Sequence, residues 1–306
     1  MVTMDLREWQ KRKRDLVQKH DYGKCGSYTV EYNDKQGFFL QKTAYDALES
    51  VFLARIVNVV DNFLKKPWSE TRVLDLACMD GLSSIEFAMQ GAKEVIGIEG
   101  RANPVECANF AKESLGLKNL TFYHDDVRNV TKEKYGTFDV VLCLGILYHL
   151  DIPDMFHFAK NISRIASDLA IIDTHFVFIS KHEAEFEEKK YHGNYAFEHY
   201  PTSSMEDRMR YGFETSLDNE KSFWLTKTSL CNLLINVGFT SLYQCIYPRG
   251  GGRQTYDDRI TLIAQKNALR SLKAVTDVGA QKLENLPEKP HYRLVASTHH
   301  PFELLK

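Results

Sequence analysis

The chain has 306 residues, 43% of them hydrophobic and 26% charged, with 39 Lys and Arg against 41 Asp and Glu. That length suits one large domain with decorations, and the apolar share is enough to bury a sizeable core. The near-even charge excludes a general attraction to nucleic acid or anionic membranes, and no apolar run approaches the ~20 residues that span a bilayer.

Positions 5–19 carry charges at most places, with Leu6, Trp9 and Leu16 between them, and predict an exposed or docking helix. Positions 21–41 mix Gly, Tyr and Asn and predict a loop with one or two short extended pieces. From 44 to 63, Leu48, Val51, Phe52, Ile56, Val59, Val60 and Phe63 recur at helical spacing. Pro67 stops that helix, so 1–66 is expected to form an N-terminal helical arm and cover.

From Arg72 the pattern alternates. Strands are predicted at 73–77, 94–98, 120–123, 138–144 and 169–173, with helices at 82–90, 103–114 and 153–166. The stretch 176–222 breaks the rhythm. A helix at 227–236 with Gly238 after it, and strands at 241–247 and 259–265, resume it. The fold class expected is α/β: a mostly parallel seven-stranded doubly wound sheet, its last strand antiparallel. The core would span 67–266, with a lid at 176–222 inserted after the fifth strand and a tail at 267–306 holding a short helix at 268–273.

In such a sheet, ligands bind beyond the carboxyl ends of the strands where strand order reverses. The first strand there leads into a turn ending at Gly81, and the second ends near Glu99, about twenty residues on, followed by Gly100. An acidic side chain at that spacing can accept from both hydroxyls of a ribose. A dinucleotide and S-adenosylmethionine both suit this geometry. A pyrophosphate needs a glycine-rich turn, and here Ala77 and Met79 stand where it would want glycine. That favours S-adenosylmethionine, which has no phosphate.

The segment Val73-Leu74-Asp75-Leu76-Ala77-Cys78-Met79-Asp80-Gly81 resembles the first motif of class I methyltransferases, V-L-D-x-G-C-G-x-G, departing from it at Ala77 and Met79. Ile96-Gly97-Ile98-Glu99 looks like their second motif. His124-Asp125-Asp126-Val127 is similar to the third, whose acid meets the adenine amino group, and the segment from Phe138 through Leu144, Gly145, Tyr148 and His149 to the fourth, beside the methionine moiety. The resemblance spans roughly 72–265 and implies S-adenosyl-L-methionine as cofactor. It implies Asp75, Ala77, Gly81, Glu99, Gly100, Asp125, Asp126, Val127, Leu144 and Gly145 as its binding residues. Asp75 could instead cap the turn, and Asp126 its own loop, with Asp125 then the adenine contact.

Tyr148 and His149 follow the fourth strand, at the edge where a methyl acceptor would bind. His149 could serve as general base or simply pack, and His175 beyond the fifth strand is its rival. The lid carries Tyr191, His192 and Tyr195, either as walls of an acceptor pocket or as the lid's own core. Arg249 and Arg253 flank three glycines and could clamp an anionic group or mark a flexible hairpin. The histidines lack ligand spacing, so no metal is expected.

The function expected is methyl transfer to an O or N atom of a small organic metabolite. The segment Gly145-Ile146-Leu147-Tyr148-His149 is also similar to one in tRNA wobble-uridine carboxymethyl transferases, which supplies an RNA-modifying alternative. A non-catalytic S-adenosylmethionine-binding protein is the third. The six cysteines form no CxxC pair and the N-terminus has no apolar stretch after its charges, so a cytoplasmic protein without a signal peptide is expected. A homodimer stays open.

Overall fold

Both faces of the central strands are apolar, so both need cover. Val73, Val140 and Leu142 join one buried cluster, while Leu74, Leu76, Val141 and Cys143 point the other way into a second. The structure is a computed structural model and describes residues 5–20, 28–42, 46–211, 215–245, 257–266 and 281–282. Arg249, Arg253, the loop between them and the helix expected at 268–273 lie outside the described residues.

The elements run α1 (Leu6–His20), β1 (Tyr28–Asn33), β2 (Gly37–Lys42), α2 (Asp46–Phe63), β3 (Arg72–Leu76), α3 (Leu82–Met89), β4 (Glu94–Glu99), α4 (Ala102–Ser114) and β5 (Leu120–His124). Then follow α5 (Lys132–Tyr135), β6 (Phe138–Leu144), α6 (Asp154–Ile165) and β7 (Ala166–His175). The insertion holds β8 (His182–Phe186), β9 (Lys189–Phe197), α7 (Met205–Tyr211) and β10 (Lys221–Leu225). The chain closes with α8 (Lys227–Asn236), β11 (Ser241–Cys245), β12 (Arg259–Gln265) and β13 (Gln281–Lys282).

The main sheet has the order β13-β11-β12-β7-β6-β3-β4-β5. Strands β3 to β7 pair in parallel, and β12 runs antiparallel to β7 with Arg259 opposite His175. This is the seven-stranded mixed sheet that the rhythm predicts, with β13 added at one edge. Strand order reverses between β3 and β6, which opens a crevice at their carboxyl ends. Helices α6 and α8 cover one face; α2, α3 and α4 cover the other, with α1 packed on α4.

The insertion is a three-stranded antiparallel sheet, ordered β10-β9-β8. Gly193 is required where β9 meets β10, because a Cβ there would overlap the Trp224 carbonyl. This small sheet shares a core with the main one: Tyr191, Phe223 and Leu225 join the cluster that holds Phe156 and Leu230, and Phe186 stacks on Phe156 at 5.1 Å. It is tied to the loop after β6 by the Phe223 N–H donating to the Leu150 carbonyl at 3.0 Å.

The N-terminal part is a docked cover. Trp9 and Leu16 are the buried residues of α1, and Trp9 stacks on Phe110 of α4 at 6.2 Å. Arg12 and Lys19 pair with Glu113 and Glu106 at 2.6 and 2.8 Å. Tyr28 of β1 donates its hydroxyl to the Asp80 carbonyl at 2.6 Å, which fastens the cover to the turn after β3. No described helix is long and apolar enough to cross a membrane.

Candidate functional site

The turn after β3 is left-handed at three alternate positions: Ala77 at φ 56°, Met79 at φ 53° and Gly81 at φ 84°. The two side chains that depart from the glycine motif therefore keep its backbone shape, at a cost of roughly 1 kcal/mol or more each. Only glycine fits at Gly81, since a Cβ there would run into the Phe122 ring. The Cys78 N–H donates to the Ile98 carbonyl at 2.9 Å and so ties the turn to β4.

Asp75, near the end of β3, is buried. It is 2% exposed and accepts the Ser84 hydroxyl at 2.6 Å, bracing β3 to the first turn of α3. Burial pushes its carboxyl up to about 7, against the pull of the Ser84 bonds, with Glu99 and Asp80 pushing the same way as burial. These bonds tie the Asp75 carboxyl to Ser84 at the start of α3.

Glu99 ends β4 at the crevice and is 3% exposed. Its Oε2 accepts from the Met79 N–H at 3.1 Å and its Oε1 from the Arg101 N–H at 2.8 Å. Burial raises its pKa, opposed by the backbone N–H and charge of Arg101 and by the Met79 N–H. A carboxylate has about four acceptor sites, so this one retains capacity for a ligand's hydroxyls.

Beyond β5, two neighbouring acids hold the loop in different ways. Asp125 accepts from Lys134 and Tyr135 at 2.5 Å each and from Asn129 at 3.0 Å. Desolvation raises its pKa, but these bonds win and bring it down to about 2. Asp126 caps the turn 127–129, accepting the Arg128 N–H at 2.8 Å and the Arg128 guanidinium at 2.5 and 2.9 Å. Val127 is buried under that turn.

The other half of the site lies beyond β6 and β7. Gly145 takes φ 103° and donates its N–H to the Asp173 carbonyl at 2.9 Å, and Leu144 is half-buried before it. Tyr148, His149 and His175 come together. The Tyr148 ring lies 4.1 Å from His149 and 4.8 Å from His175. Trp224 of β10 completes the group, stacked on His175 at 4.9 Å and edge-on to Tyr148 at 5.7 Å.

The two histidines have different partners. His175 meets the Asp258 carboxylate through Nδ1 at 3.2 Å and the Arg259 guanidinium through Nε2 at 3.3 Å. Arg259 is fixed in turn by Asp173, 1% exposed, at 2.5 and 2.7 Å. His149 meets Glu198 through Nδ1 at 2.9 Å, and its Nε2 makes no hydrogen bond among the described residues. Sequence reasoning missed Trp224, Glu198, Asp258 and Arg259. The only signal in the chain was the position of Arg259 at the start of a strand antiparallel to the one ending in His175.

The three lid residues separate. Tyr191 is in the core, 1% exposed, beside Phe156 and accepting from the Asn236 amide at 3.0 Å, so it packs the lid instead of walling a pocket. His192 is on the opposite face of β9, half-exposed, 3.9 Å from Glu183. Tyr195 is half-buried between Phe223 and His182, with the Lys221 ammonium over its ring at 3.8 Å. None of the three touches the Tyr148 group directly in these contacts.

Residues 73–168 match the family described as "Methyltransferase domain". They are a class I methyltransferase domain. The chain is also similar in part to curated relatives. A 23S rRNA (uracil(1939)-C(5))-methyltransferase RlmD of Shewanella sp. (strain MR-4) is 36% identical over 104 residues, which are 34% of this chain and 21% of that one. A ubiquinone biosynthesis O-methyltransferase of Proteus mirabilis (strain HI4320) is 28% identical over 149 residues, 49% of this chain and 56% of that one. The chain thus spans from about a fifth to little more than half of these relatives. Among solved structures, the N-terminal domain of EvdMO1 with SAH bound superposes with a TM-score of 0.63 at 21% identity, over 87% of this chain and 98% of that one. That likeness shows the fold alone, over most of the chain.

Proposed function

We propose that the protein binds S-adenosyl-L-methionine along the carboxyl ends of β3, β4 and β5 and transfers its methyl group to an oxygen or nitrogen of a small organic acceptor. One observation carries this reading: Glu99, buried at the switch point, has its carboxylate held by the Met79 and Arg101 amides and still has acceptor sites for a ribose diol. Asp126 and Val127 would border the adenine, with Asp125 fixing their loop, and Leu144 and Gly145 the methionine side. The domain match, and the SAH held by the EvdMO1 domain, support the choice of cofactor.

The cofactor's sulfonium supplies an activated methyl carbon. The chain must then align an acceptor with it and exclude water. Tyr148 and Trp224 give that edge aromatic walls, which suits an organic substrate better than a polymer backbone. His149 receives the acceptor's proton at Nε2, because Glu198 engages Nδ1. His175 has a partner at each ring nitrogen and serves as a positioning residue for Tyr148 and Trp224. The described cysteines are buried thiols, which fits a reducing cytoplasm.

A second reading, transfer to a base of RNA, is favoured by the 36% identity to the rRNA enzyme. That identity covers 104 residues, a third of the chain. The test is transfer of label from methyl-tritiated S-adenosylmethionine into a small-metabolite extract and into total RNA. Label in the metabolite fraction that His149→Ala abolishes supports the first reading. Label only in RNA replaces it with the second, and cofactor binding without label in either pool means a non-catalytic binding protein.

A further inference from the structure

One carboxylate joins the two halves of the site. Glu198 Oε2 accepts from His149 Nδ1 at 2.9 Å and from the Ser216 N–H at 2.8 Å, and the Glu198 side chain is only 4% exposed. Ser216 belongs to the segment 215–219, which lies over the carboxyl ends of β4 and β5. Arg101 donates to the Thr215 and Ser216 carbonyls at 3.1 and 2.9 Å. Leu217 covers Gly100 so closely that a Cβ there would overlap it. Asp218 pairs with Arg128 at 2.7 Å, and Asn219 donates to the His149 carbonyl at 3.0 Å.

These contacts make 215–219 a strap across the place where the cofactor's adenosine would lie, and they tie it at both ends to the catalytic edge. A buried carboxylate needs its donors, since an under-satisfied charge away from water is costly. With the strap seated, the Ser216 amide fixes Oε2, and Oε2 fixes the ring of His149 with its proton on Nδ1 and its Nε2 lone pair outward. With the strap lifted, Oε2 loses one of its donors and the ring loses its fixed partner.

We infer that Glu198 is a positioning residue that couples seating of the strap over the cofactor to the orientation of His149. The inference rests on the cofactor reading above. By linkage, a ligand that binds beneath the seated strap favours the oriented histidine, and loss of that orientation weakens the ligand by the same factor.

The test uses the full chain, S-adenosylhomocysteine as probe, calorimetry for affinity and nitrogen-15 NMR of the histidine rings for the tautomer of His149, its signals assigned with His149→Ala. In the wild type, His149 shows one tautomer, protonated at Nδ1, when the probe is bound. Glu198→Ala should bind the probe at least about fivefold more weakly and show mixed tautomers, while Glu198→Gln, which keeps an acceptor oxygen, recovers most of the affinity. Leu217→Ala carries the same test without touching the carboxylate, and serves if Glu198→Ala does not fold. It should weaken the probe and mix the His149 tautomers together. A change in either property without the other, or in neither, in a folded variant overturns the coupling. A wild type that binds no probe overturns the cofactor reading and the coupling with it.

Discussion

The carboxylate of Glu99 and the main-chain N–H of Met79 lie 3.1 Å apart, joining the end of β4 to the left-handed turn after β3. The residue expected to grip the ribose thus also holds the turn beside it. Glu99→Ala should lower S-adenosylhomocysteine affinity about 10- to 100-fold, the loss of one or two hydrogen bonds to a charged group. Calorimetry reads this directly, and unchanged affinity removes Glu99 from the site.

The same turn predicts an unusual tolerance. Ala77 and Met79 sit at φ 56° and 53°, where glycine is the cheaper residue. Ala77→Gly and Met79→Gly should leave stability within about 1 kcal/mol or raise it, because relief of strain offsets the added freedom of the unfolded chain. Ala77→Val, β-branched at the same φ, should destabilise by more than about 1 kcal/mol. Denaturant unfolding separates the two outcomes.

Stability should also carry the mark of Asp75. Burial lifts its carboxyl from 3.8 to about 7, so it holds its proton more tightly folded than unfolded. Its contribution is therefore fully present below about pH 4 and is lost as pH rises toward 7. Asp125 works the other way: brought down to about 2, it adds stability above about pH 4 that is lost on acidification. Asp75→Asn should remove close to one proton from the slope of unfolding free energy against pH between about 4 and 7. An unchanged slope contradicts the buried neutral carboxyl.

Arg259 holds Asp173 with two bonds while facing His175 and Tyr148. Arg259→Met should cost about 3 kcal/mol or more, because it leaves the buried carboxylate without its guanidinium. In the double variant with Asp173→Leu much of that loss should return, as it does when a buried pair is replaced by apolar groups. A merely additive double variant refutes the pairing as the source of the cost.

The sheet was legible because its strands are short apolar runs separated by amphipathic helices, and Glu99 because its distance from the turn follows from that succession. The one or two short extended pieces expected in 21–41 are β1 and β2, and their pairing as a hairpin is what the sequence left unread. The lid's own sheet was not legible, since β8 and β9 carry charges on exposed faces. The place of Tyr191 stayed open for the same reason: alternation along β9 turns it inward and leaves His192 outward, and nothing local shows which face is which. Glu198 and Asp258 stand 49 and 83 residues from the histidines they meet, a separation that only the fold closes.

The most direct measurement is a crystal structure of the protein with S-adenosylhomocysteine. The ribose hydroxyls are expected on the Glu99 carboxylate, the adenine beside Asp126 and beneath Leu217, and the sulfur facing Tyr148 and His149. A ligand bound elsewhere, or one whose sulfur faces away from that edge, would contradict this placement.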